Sequence, residues 1–435
     1  MRRVDRASRR GAVCRERRRR PIGRCGRGCE PAVAGPRVWA GGGRGGRLHA
    51  TGGTPVRFLF TTFPAIGHLN TVLPLARAAR RAGHEVAVAS GADVAAEIAR
   101  QGFTAWEVGP TRAEAAALRA AEPDRPSTGQ PFETDLTAMF LPSAAKRAVD
   151  LVPRALQWRP DVVVHEISEV AGAVAAALTG ARHVVHGLGI TPTGPMWEAL
   201  FAPGFAQLCA EWEVPALTRD VLEADYLDIL PPSLRTEQPA WRRVRPIRPG
   251  IGRAAPGEQL PAALDALPHP ETIHLTLGTV FFEARGVLEA AIAGLRDLPF
   301  NLVVTTGPGT DPAAFGPQPP HVLLAPYLPH SLLLPRCCLV VAHGGAGIML
   351  GALEHGLPQL MLPQGAEQFL NAELCRRAGV ALALGPAEVS ADSVAAAARD
   401  LLGRYGYTRA AERVRAEIAA MPTPARVLDV LTGGR

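Results

Sequence analysis

The chain has 435 residues, enough for two domains that each bury a sizeable hydrophobic core. Hydrophobic residues make up 47% of it, yet no apolar run reaches the roughly 18 residues of a membrane-spanning helix. The net charge is +7, but residues 1–54 hold 15 Arg and 3 acids, a net of +12 that leaves −5 for the remainder. The composition therefore argues against a membrane-spanning protein and assigns the basic character to the N-terminal tail.

This tail, residues 1–54, is rich in Arg and Gly, lacks hydrophobic periodicity and is predicted to be disordered. It has no apolar stretch of the kind found in signal peptides. Four arginines at 17–20 suit non-specific nucleic-acid binding. The preferred interpretation is a plain extension, or a start codon assigned upstream of a true beginning near Thr54. No specific nucleic-acid partner is expected. The cysteines show neither zinc-binding spacing nor a disulfide framework, which favours the reducing cytoplasm.

A βαβ unit opens the folded part. Strands are predicted at 56–61 and 85–90, with a helix at 69–81 between them and a right-handed crossover. A second helix at 92–100 and a third strand at 103–108 follow.

His68 lies where the first strand opens into its helix, at the edge of a parallel sheet where ligands bind. Glu166 follows a buried strand predicted at 161–165, so it is expected at the same edge. A carboxylate can fix the tautomer of a basic histidine and stabilise its imidazolium. The alternatives are a helix-capping or exposed histidine and an exposed loop acid, with Glu169 as the fallback partner.

The middle of the chain is less informative. Residues 110–131 are predicted to form a loop with a short helix, and 132–158 a helix broken near Pro142 and Pro153. A strand is predicted at 183–187, and the Pro/Gly-rich segment 246–268 is interpreted as a linker. Between them lies a group of bulky apolar residues that either line an apolar pocket or belong to the core: Met196, Trp197, Phe201, Phe205 and Trp212.

The last third begins with a strand at 272–277, followed by Gly278 and Thr279. A helix at 287–295 and a strand at 301–305 come next, and another strand at 322–325 leads into Pro-Tyr-Leu-Pro-His at 326–330. A buried strand at 339–342 then ends at His343, and the residues after it are a cluster of glycines, Gly344, Gly345 and Gly347.

The glycine cluster joins a strand to a predicted helix, an arrangement that directs free backbone N–H groups and a helix N-terminus at an anion. The alternative is a tight connection whose glycines only satisfy backbone geometry. The next strand, at 359–362, ends in a loop that carries Glu367 and Gln368 at the same sheet edge. A phosphate cradle beside side chains suited to hydroxyl groups suggests a nucleotide-sugar site.

Three motifs together resemble the donor-site signature of GT-B glycosyltransferases. They are His-Gly-Gly-Ala-Gly at 343–347, Gly-Leu-Pro-Gln-Leu-Met-Leu-Pro at 356–363 and the Glu367-Gln368 pair. The sequence is most similar to the actinobacterial natural-product branch of the UDP-glycosyltransferase family, over about residues 55–431. The resemblance implies an α/β fold of two Rossmann-like domains facing each other across a cleft.

The implied organisation has an N-terminal acceptor-binding domain at 55–245 and a linker at 246–268. A C-terminal nucleotide-sugar-binding domain at 269–435 follows, with a last helix that returns to the first domain. The implied reaction is an inverting, metal-independent transfer of a sugar from a dTDP- or UDP-sugar to a hydroxyl of an apolar natural-product aglycone. No cofactor is expected beyond the nucleotide-sugar co-substrate, and no Asp-x-Asp metal motif stands in a matching place.

The resemblance also implies roles for individual residues. His68, after Gly67, takes the proton of the acceptor hydroxyl, and Glu166, where the family usually has Asp, orients it. The donor-site residues divide by ligand part: Gly278, Thr279, His343, Gly344, Gly345 and Gly347 for the diphosphate, Tyr327 and the backbone of Leu328 for the base, Glu367 and Gln368 for the sugar.

Three positions depart from the family pattern. Ile348 replaces a phosphate-binding Ser or Thr, Gly351 replaces a ribose-binding Glu with Glu354 three residues further on, and His330 replaces a Gln. The departures at Ile348 and Gly351 favour either weaker donor binding or a nucleotide without a ribose 2′-hydroxyl, as in dTDP. The competing hypotheses are a sugar-nucleotide epimerase and a helper protein without catalysis. The oligomeric state is left open, with a homodimer as one alternative.

Overall fold

The computed structural model describes residues 55–120, 131–235, 237–250, 254, 257–278, 285–307 and 309–433. The N-terminal tail, the segment 121–130 and Thr279 lie outside these ranges, so the predicted disorder of the tail is not tested.

The first half of the described chain forms a seven-stranded parallel sheet in the spatial order β3-β2-β1-β4-β5-β6-β7. Helices cover both faces, which explains why the central strands are runs of apolar residues rather than alternating ones. The strands are β1 (Arg57–Thr61), β2 (Glu85–Ser90), β3 (Thr104–Glu107), β4 (Val162–Glu166), β5 (Arg182–His186), β6 (Asp225–Asp228) and β7 (Arg243–Pro246).

The helices of this half connect the parallel strands. They are α1 (Ile66–Arg81), α2 (Ala95–Arg100), α3 (Arg112–Ala120), α4 (Pro131–Trp158), α5 (Ala171–Thr179), α6 (Gly194–Leu200), α7 (Ala202–Glu211) and α8 (Leu217–Asp220). Helix α1 begins three residues before the predicted start, so His68 belongs to its first turn.

Helix α4 corrects one prediction. It runs without a break through Pro142 and Pro153, where the sequence predicted interruptions. A proline removes one backbone hydrogen bond and crowds the preceding turn. Packing outweighs that loss here, because α4 lies along α5 and encloses a row of apolar side chains: Ala144, Ala148, Leu151, Val152 and Ala155.

Most of the bulky apolar residues after β5 belong to the core. Trp197, Phe201 and Phe205 are 1–6% exposed, and the Trp197 ring stacks on Phe201 at 5.4 Å between centroids. The Trp197 ring also meets Trp241 edge-on at 5.2 Å. The structure therefore favours the core interpretation over a pocket lining for these three side chains.

The second half forms a six-stranded parallel sheet in the order β10-β9-β8-β11-β12-β13. Its strands are β8 (Thr272–Thr276), β9 (Asn301–Thr305), β10 (Val322–Ala325), β11 (Cys337–Ala342), β12 (Gln359–Met361) and β13 (Ala381–Ala383). Its helices are α9 (Arg285–Leu295), α10 (His330–Leu333), α11 (Ala346–Glu354), α12 (Gln368–Arg377), α13 (Ala391–Gly403), α14 (Tyr405–Ala420) and α15 (Pro424–Thr432).

The last helix packs on the first half of the chain. Helix α15 lies against α1, and its Val427, Leu428 and Leu431 are buried in one hydrophobic cluster with the α1 side chains Leu69 and Val72. The two sheets share the same central strand order. In each, the first and fourth strands are neighbours, and the strands that follow them are added outward in opposite directions. The predicted architecture of two Rossmann-like domains is confirmed.

Candidate active site

His68 and Glu166 meet at the carboxyl edge of the first sheet. The imidazole Nδ1 of His68 lies 2.8 Å from Oε2 of Glu166. The His68 side chain is 16% exposed, whereas the Glu166 carboxyl is fully enclosed. The ring of Phe63 packs on the imidazole at 5.1 Å between centroids. The histidine is thus held on one side and reaches solvent on the other, as a base needs to do.

Glu166 is the last residue of β4, and its environment favours the ionised form. Burial is the largest influence and opposes ionisation, but the charge of His68 and hydrogen bonds from His68 and Ser168 prevail and lower the pKa of Glu166. The Ser168 N–H donates to Oε1 at 2.8 Å. Glu166 is therefore a carboxylate that can stabilise an imidazolium on His68.

The fallback partner Glu169 does not face His68. Its carboxylate accepts hydrogen bonds from the backbone N–H groups of Ala171 and Gly172, at 3.3 and 3.2 Å, and pairs with Arg147 at 3.4 Å. The structure brings Glu166 to the histidine.

The glycine cluster follows β11 and opens α11, as the sequence predicts. Gly344 has φ +87°, a conformation that L side chains rarely adopt. The ring of His343 lies between Gly278 and Gly345, and a Cβ on Gly278 would come within 2.5 Å of its Cε1 atom. A Cβ on Gly345 would overlap the ring at Nε2. The glycines let backbone and imidazole approach closely at a helix N-terminus.

His343 is a neutral residue at physiological pH. Burial lowers its pKa to about 4, although the nearby Thr276 backbone opposes the shift. Its Nδ1 atom is enclosed and has no hydrogen-bond partner among the described residues. His343 can therefore contribute a hydrogen bond to an anion, but not a charge.

Asn371, in α12, contacts the glycine turn at Gly344 and was missed by the sequence analysis. Its side-chain Nδ2 donates to the carbonyl of Gly344 at 2.9 Å, and the residue is fully buried. Its Oδ1 has no partner within the described ranges. The sequence could have pointed to Asn371 through its spacing, because residue 371 lies one helical turn after Glu367.

The loop after β12 carries the other predicted pair. Gln368 is buried, and its Oε1 accepts from the backbone N–H groups of Gln364 and Gly365 at 2.8 and 3.3 Å. Its amide thus shapes the loop, in which Ala366 has φ +51°. Burial raises the pKa of Glu367, and the charges of His68 and Glu166 also act on that carboxyl. The two halves of the site are therefore within electrostatic reach of each other.

The two halves of the chain are also in contact near the site. A Cβ on Gly189, from the first half, would lie 2.9 Å from the Cβ of Ala346, the first residue of α11. The N-terminus of α11 therefore faces the edge of the first sheet that carries His68.

Tyr327 follows β10, and 58% of its surface is exposed. Its hydroxyl lies 3.5 Å from Oε1 of Glu258. Leu328 is 2% exposed and packs into the core. His330 is within 3.3 Å of His274, measured between the Nε2 atoms, and burial lowers its pKa to about 4.

The two departures in α11 have a packing explanation. Ile348 is 5% exposed and belongs to a small hydrophobic cluster with Leu334. A Cβ on Gly351 would lie 3.2 Å from Cδ1 of Leu334. Both positions therefore face a tightly filled interior.

Comparisons with known proteins identify the family of the chain. Two family models match the chain. One is the N-terminal domain of erythromycin biosynthesis protein CIII-like proteins, over residues 77–242, and the other their C-terminal domain, over 292–433. The elloramycin glycosyltransferase of Streptomyces olivaceus is 30% identical over 384 residues, covering 86% of this chain and 96% of that protein. The chain belongs to the erythromycin biosynthesis protein CIII-like family of glycosyltransferases.

Solved structures place this CIII-like glycosyltransferase in the GT-B fold. The glycosyltransferase SnogD from Streptomyces nogalater is 28% identical with a TM-score of 0.67, covering 87% of this chain and 99% of that one. The glycosyltransferase VinC, in complex with dTDP, is 26% identical with a TM-score of 0.69 and the same coverage. Among the residues described here, no helix of the CIII-like chain has the length and apolar character to cross a membrane.

Proposed function

We propose that this glycosyltransferase moves a sugar from a nucleotide-sugar to a hydroxyl of an apolar small molecule, a natural-product aglycone, with inversion at the anomeric carbon. The observation that carries the proposal is the 2.8 Å contact of His68 with the buried carboxylate of Glu166, opposite a glycine-lined helix N-terminus. A base and an anion cradle that face each other match the two ends of a glycosyl transfer.

His68 acts at the acceptor. Its Nε2 takes the proton of the acceptor hydroxyl while the oxygen forms a bond to the anomeric carbon. Glu166 holds Nδ1–H and stabilises the imidazolium that results. Because the nucleophile arrives from the His68 side and the diphosphate leaves toward α11, the anomeric configuration inverts.

The leaving diphosphate takes the electron pair of the broken C–O bond, and its negative charge grows in the transition state. Backbone N–H groups at Gly344, Gly345 and Gly347 and the N-terminus of α11 are suited to stabilise that charge. His343 adds a hydrogen bond. In this mechanism the fixed dipoles of the backbone stabilise the charge of the diphosphate, and no metal ion is required.

The base and the sugar of the donor have separate contacts. Tyr327 offers an exposed ring for stacking on the base, with Leu328 contributing backbone groups. Glu367 binds sugar hydroxyls, and Gln368 stabilises the loop that carries Glu367. We propose dTDP as the nucleotide, because Gly351 stands where a ribose-binding Glu is expected and because the similar VinC was solved with dTDP.

The same proposal includes the domain limits: acceptor domain 55–245, linker 246–268 and donor domain 269–435. The close packing of α15 on α1 supports a last helix that returns to the acceptor domain.

The test is incubation of the full chain with dTDP-glucose or UDP-glucose and a panel of polyketide aglycones, followed by mass spectrometry. The proposal predicts a product heavier by one hexosyl group, with the opposite anomeric configuration by NMR. Conversion of donor without acceptor would indicate the epimerase instead. Absence of both product and nucleotide binding would indicate the helper protein.

A further inference from the structure

An enclosed ion pair lies close to the catalytic pair but on the other face of the first sheet. Nη1 of Arg147, in α4, is 3.4 Å from Oε1 of Glu169, in the loop between β4 and α5. Both side chains are completely enclosed. Of the ion pairs within the described ranges, it is the one with no exposure on either side.

Glu169 belongs to the turn that holds Glu166. The backbone N–H of Glu169 donates to the carbonyl of Glu166 at 2.8 Å, and the N–H of Ser168 donates to the Glu166 carboxylate at 2.8 Å. The N–H of Ile167 donates to the carbonyl of His186 on the neighbouring strand at 3.0 Å. The position of the Glu166 side chain therefore depends on the geometry of residues 166–169.

The carboxylate of Glu169 anchors that turn at two further points. It accepts hydrogen bonds from the first N–H groups of α5, at Ala171 and Gly172, and it receives Arg147. Gly172 permits the close approach of α5 to the sheet, since a Cβ there would overlap the hydroxyl of Thr61. Turn, helix and arginine are thus fixed against one another.

Arg147 is itself held from the opposite side. Gly109 has φ +72°, and a Cβ on it would lie 2.8 Å from the Cβ of Arg147. The Nε and Nη2 atoms of Arg147 are buried without a hydrogen-bond partner among the described residues. Unpaired buried donors are unfavourable, and replacing a buried ion pair by apolar side chains is often neutral or stabilising. Stability alone therefore does not account for this pair.

We propose that Arg147 is a positioning residue, which fixes the Glu166 carboxylate on His68 through Glu169 and the turn at 166–169. The inference rests on the proposed function, because it assigns Glu166 a part in proton transfer. Arg147 is fully enclosed, so its effect is on the geometry of the base and its carboxylate partner.

The test compares pH profiles of kcat in the full chain. In R147M/E169Q both charges are removed together, which avoids an unpaired buried charge. We expect kcat to fall by about ten- to a hundredfold, the order of loss seen when a catalytic group is misplaced by a fraction of an ångström to one ångström. The acid limb should move to lower pH, because a displaced Glu166 carboxylate stabilises the imidazolium less. dTDP affinity and donor KM should stay within about twofold.

Two variants keep the test decisive. Glu169→Asp retains the charge but withdraws the carboxylate by one methylene, so it should fold and still move the acid limb if R147M/E169Q fails to fold. Arg182→Met is the matched control, because it breaks a partly buried pair of the same sheet, Arg182 with Asp225 at 2.7 Å, away from the turn. It should change stability and leave the pH profile unchanged.

An unchanged pH profile in folded R147M/E169Q or Glu169→Asp would overturn the positioning role, as would the same change in Arg182→Met. His68→Ala on the unmodified background separates this failure from a failure of the proposed function. If His68→Ala keeps full turnover, the base assignment is wrong. If it loses turnover while the Arg147 and Glu169 variants keep the wild-type profile, only the positioning role is wrong.

Discussion

Nδ1 of His68 and Oε2 of Glu166 are 2.8 Å apart, although the two residues are 98 positions apart in the sequence. They meet because β1 and β4 are neighbours in the sheet and both end at its carboxyl edge. The resemblance to the family implied the shorter Asp at this position. The longer Glu166 still reaches the histidine, because it begins from the last residue of β4 and a Ser168 N–H holds its other oxygen.

Replacing His68 by Ala removes the proposed base. We expect turnover to fall by about 10²- to 10⁴-fold, the usual contribution of a general base. dTDP affinity should be nearly unchanged, because the donor groups lie in the second half of the chain. Initial rates and calorimetric titration check both statements, with His84→Ala as the control in the same domain. Turnover that survives in His68→Ala would show that another group takes the proton.

The substitution Glu166→Gln should make the folding stability less dependent on pH in the acid range. The pKa of Glu166 in the folded chain lies below its ordinary value of 4.5. Its ionised form therefore contributes stability that is complete above about pH 4.5 and is lost as pH falls through the folded pKa. The difference in Tm between wild type and Glu166→Gln should be largest above that pH and shrink below it. A constant difference from about pH 3 to about pH 7 would contradict the lowered pKa.

Gly278→Ala should damage the donor site beyond its backbone strain. A Cβ there would meet the His343 ring at 2.5 Å, in a residue with φ +76°. Gly180 is a matched control with φ +69° and no atom within 4 Å of an added Cβ. We expect Gly180→Ala to cost about 1 kcal/mol of stability and to leave dTDP binding intact. Gly278→Ala should lose at least about tenfold in dTDP affinity as well, and equal affinities in the two variants would refute the close packing.

His343 should act on the nucleotide as a neutral group. Its pKa of about 4 leaves it uncharged across the physiological range. The ratio of dTDP affinities between wild type and His343→Ala should therefore stay constant from about pH 6 to about pH 8, where an ordinary histidine titrates. Using the ratio cancels the titration of the phosphate itself. A ratio that grows several-fold as pH falls through that range would show that His343 becomes charged.

Local sequence signals predicted much of the fold and the positions of the candidate site residues at the ends of its strands. His68, Glu166, His343 and Glu367 each follow a strand predicted from a short apolar run, and parallel strands present their carboxyl ends at one edge. That rule brings residues together without knowledge of the packing between them. The glycines at 344 and 345 could also be predicted, because a strand-to-helix turn that admits an anion needs small residues there.

The parts that sequence patterns missed depend on contacts between distant elements. Pro142 and Pro153 signal breaks, but packing along α5 keeps α4 continuous. In the sequence Asn371 looks like any polar helix residue. Its hydrogen bond to the carbonyl of Gly344 depends on the packing of α12 against the glycine turn. The pairing of Arg147 with Glu169 joins helix α4 to the loop after β4 across a buried interior, where hydrophobic periodicity would place an apolar residue at position 147.

Calorimetric titration of the full chain with dTDP and with UDP, repeated on His343→Ala, is the decisive experiment for the donor site. The account predicts that dTDP binds, that it binds more tightly than UDP, and that His343→Ala weakens or abolishes the binding. A preference for UDP would contradict the dTDP assignment. No binding of either nucleotide would contradict the donor site itself, and with it the proposed glycosyl transfer.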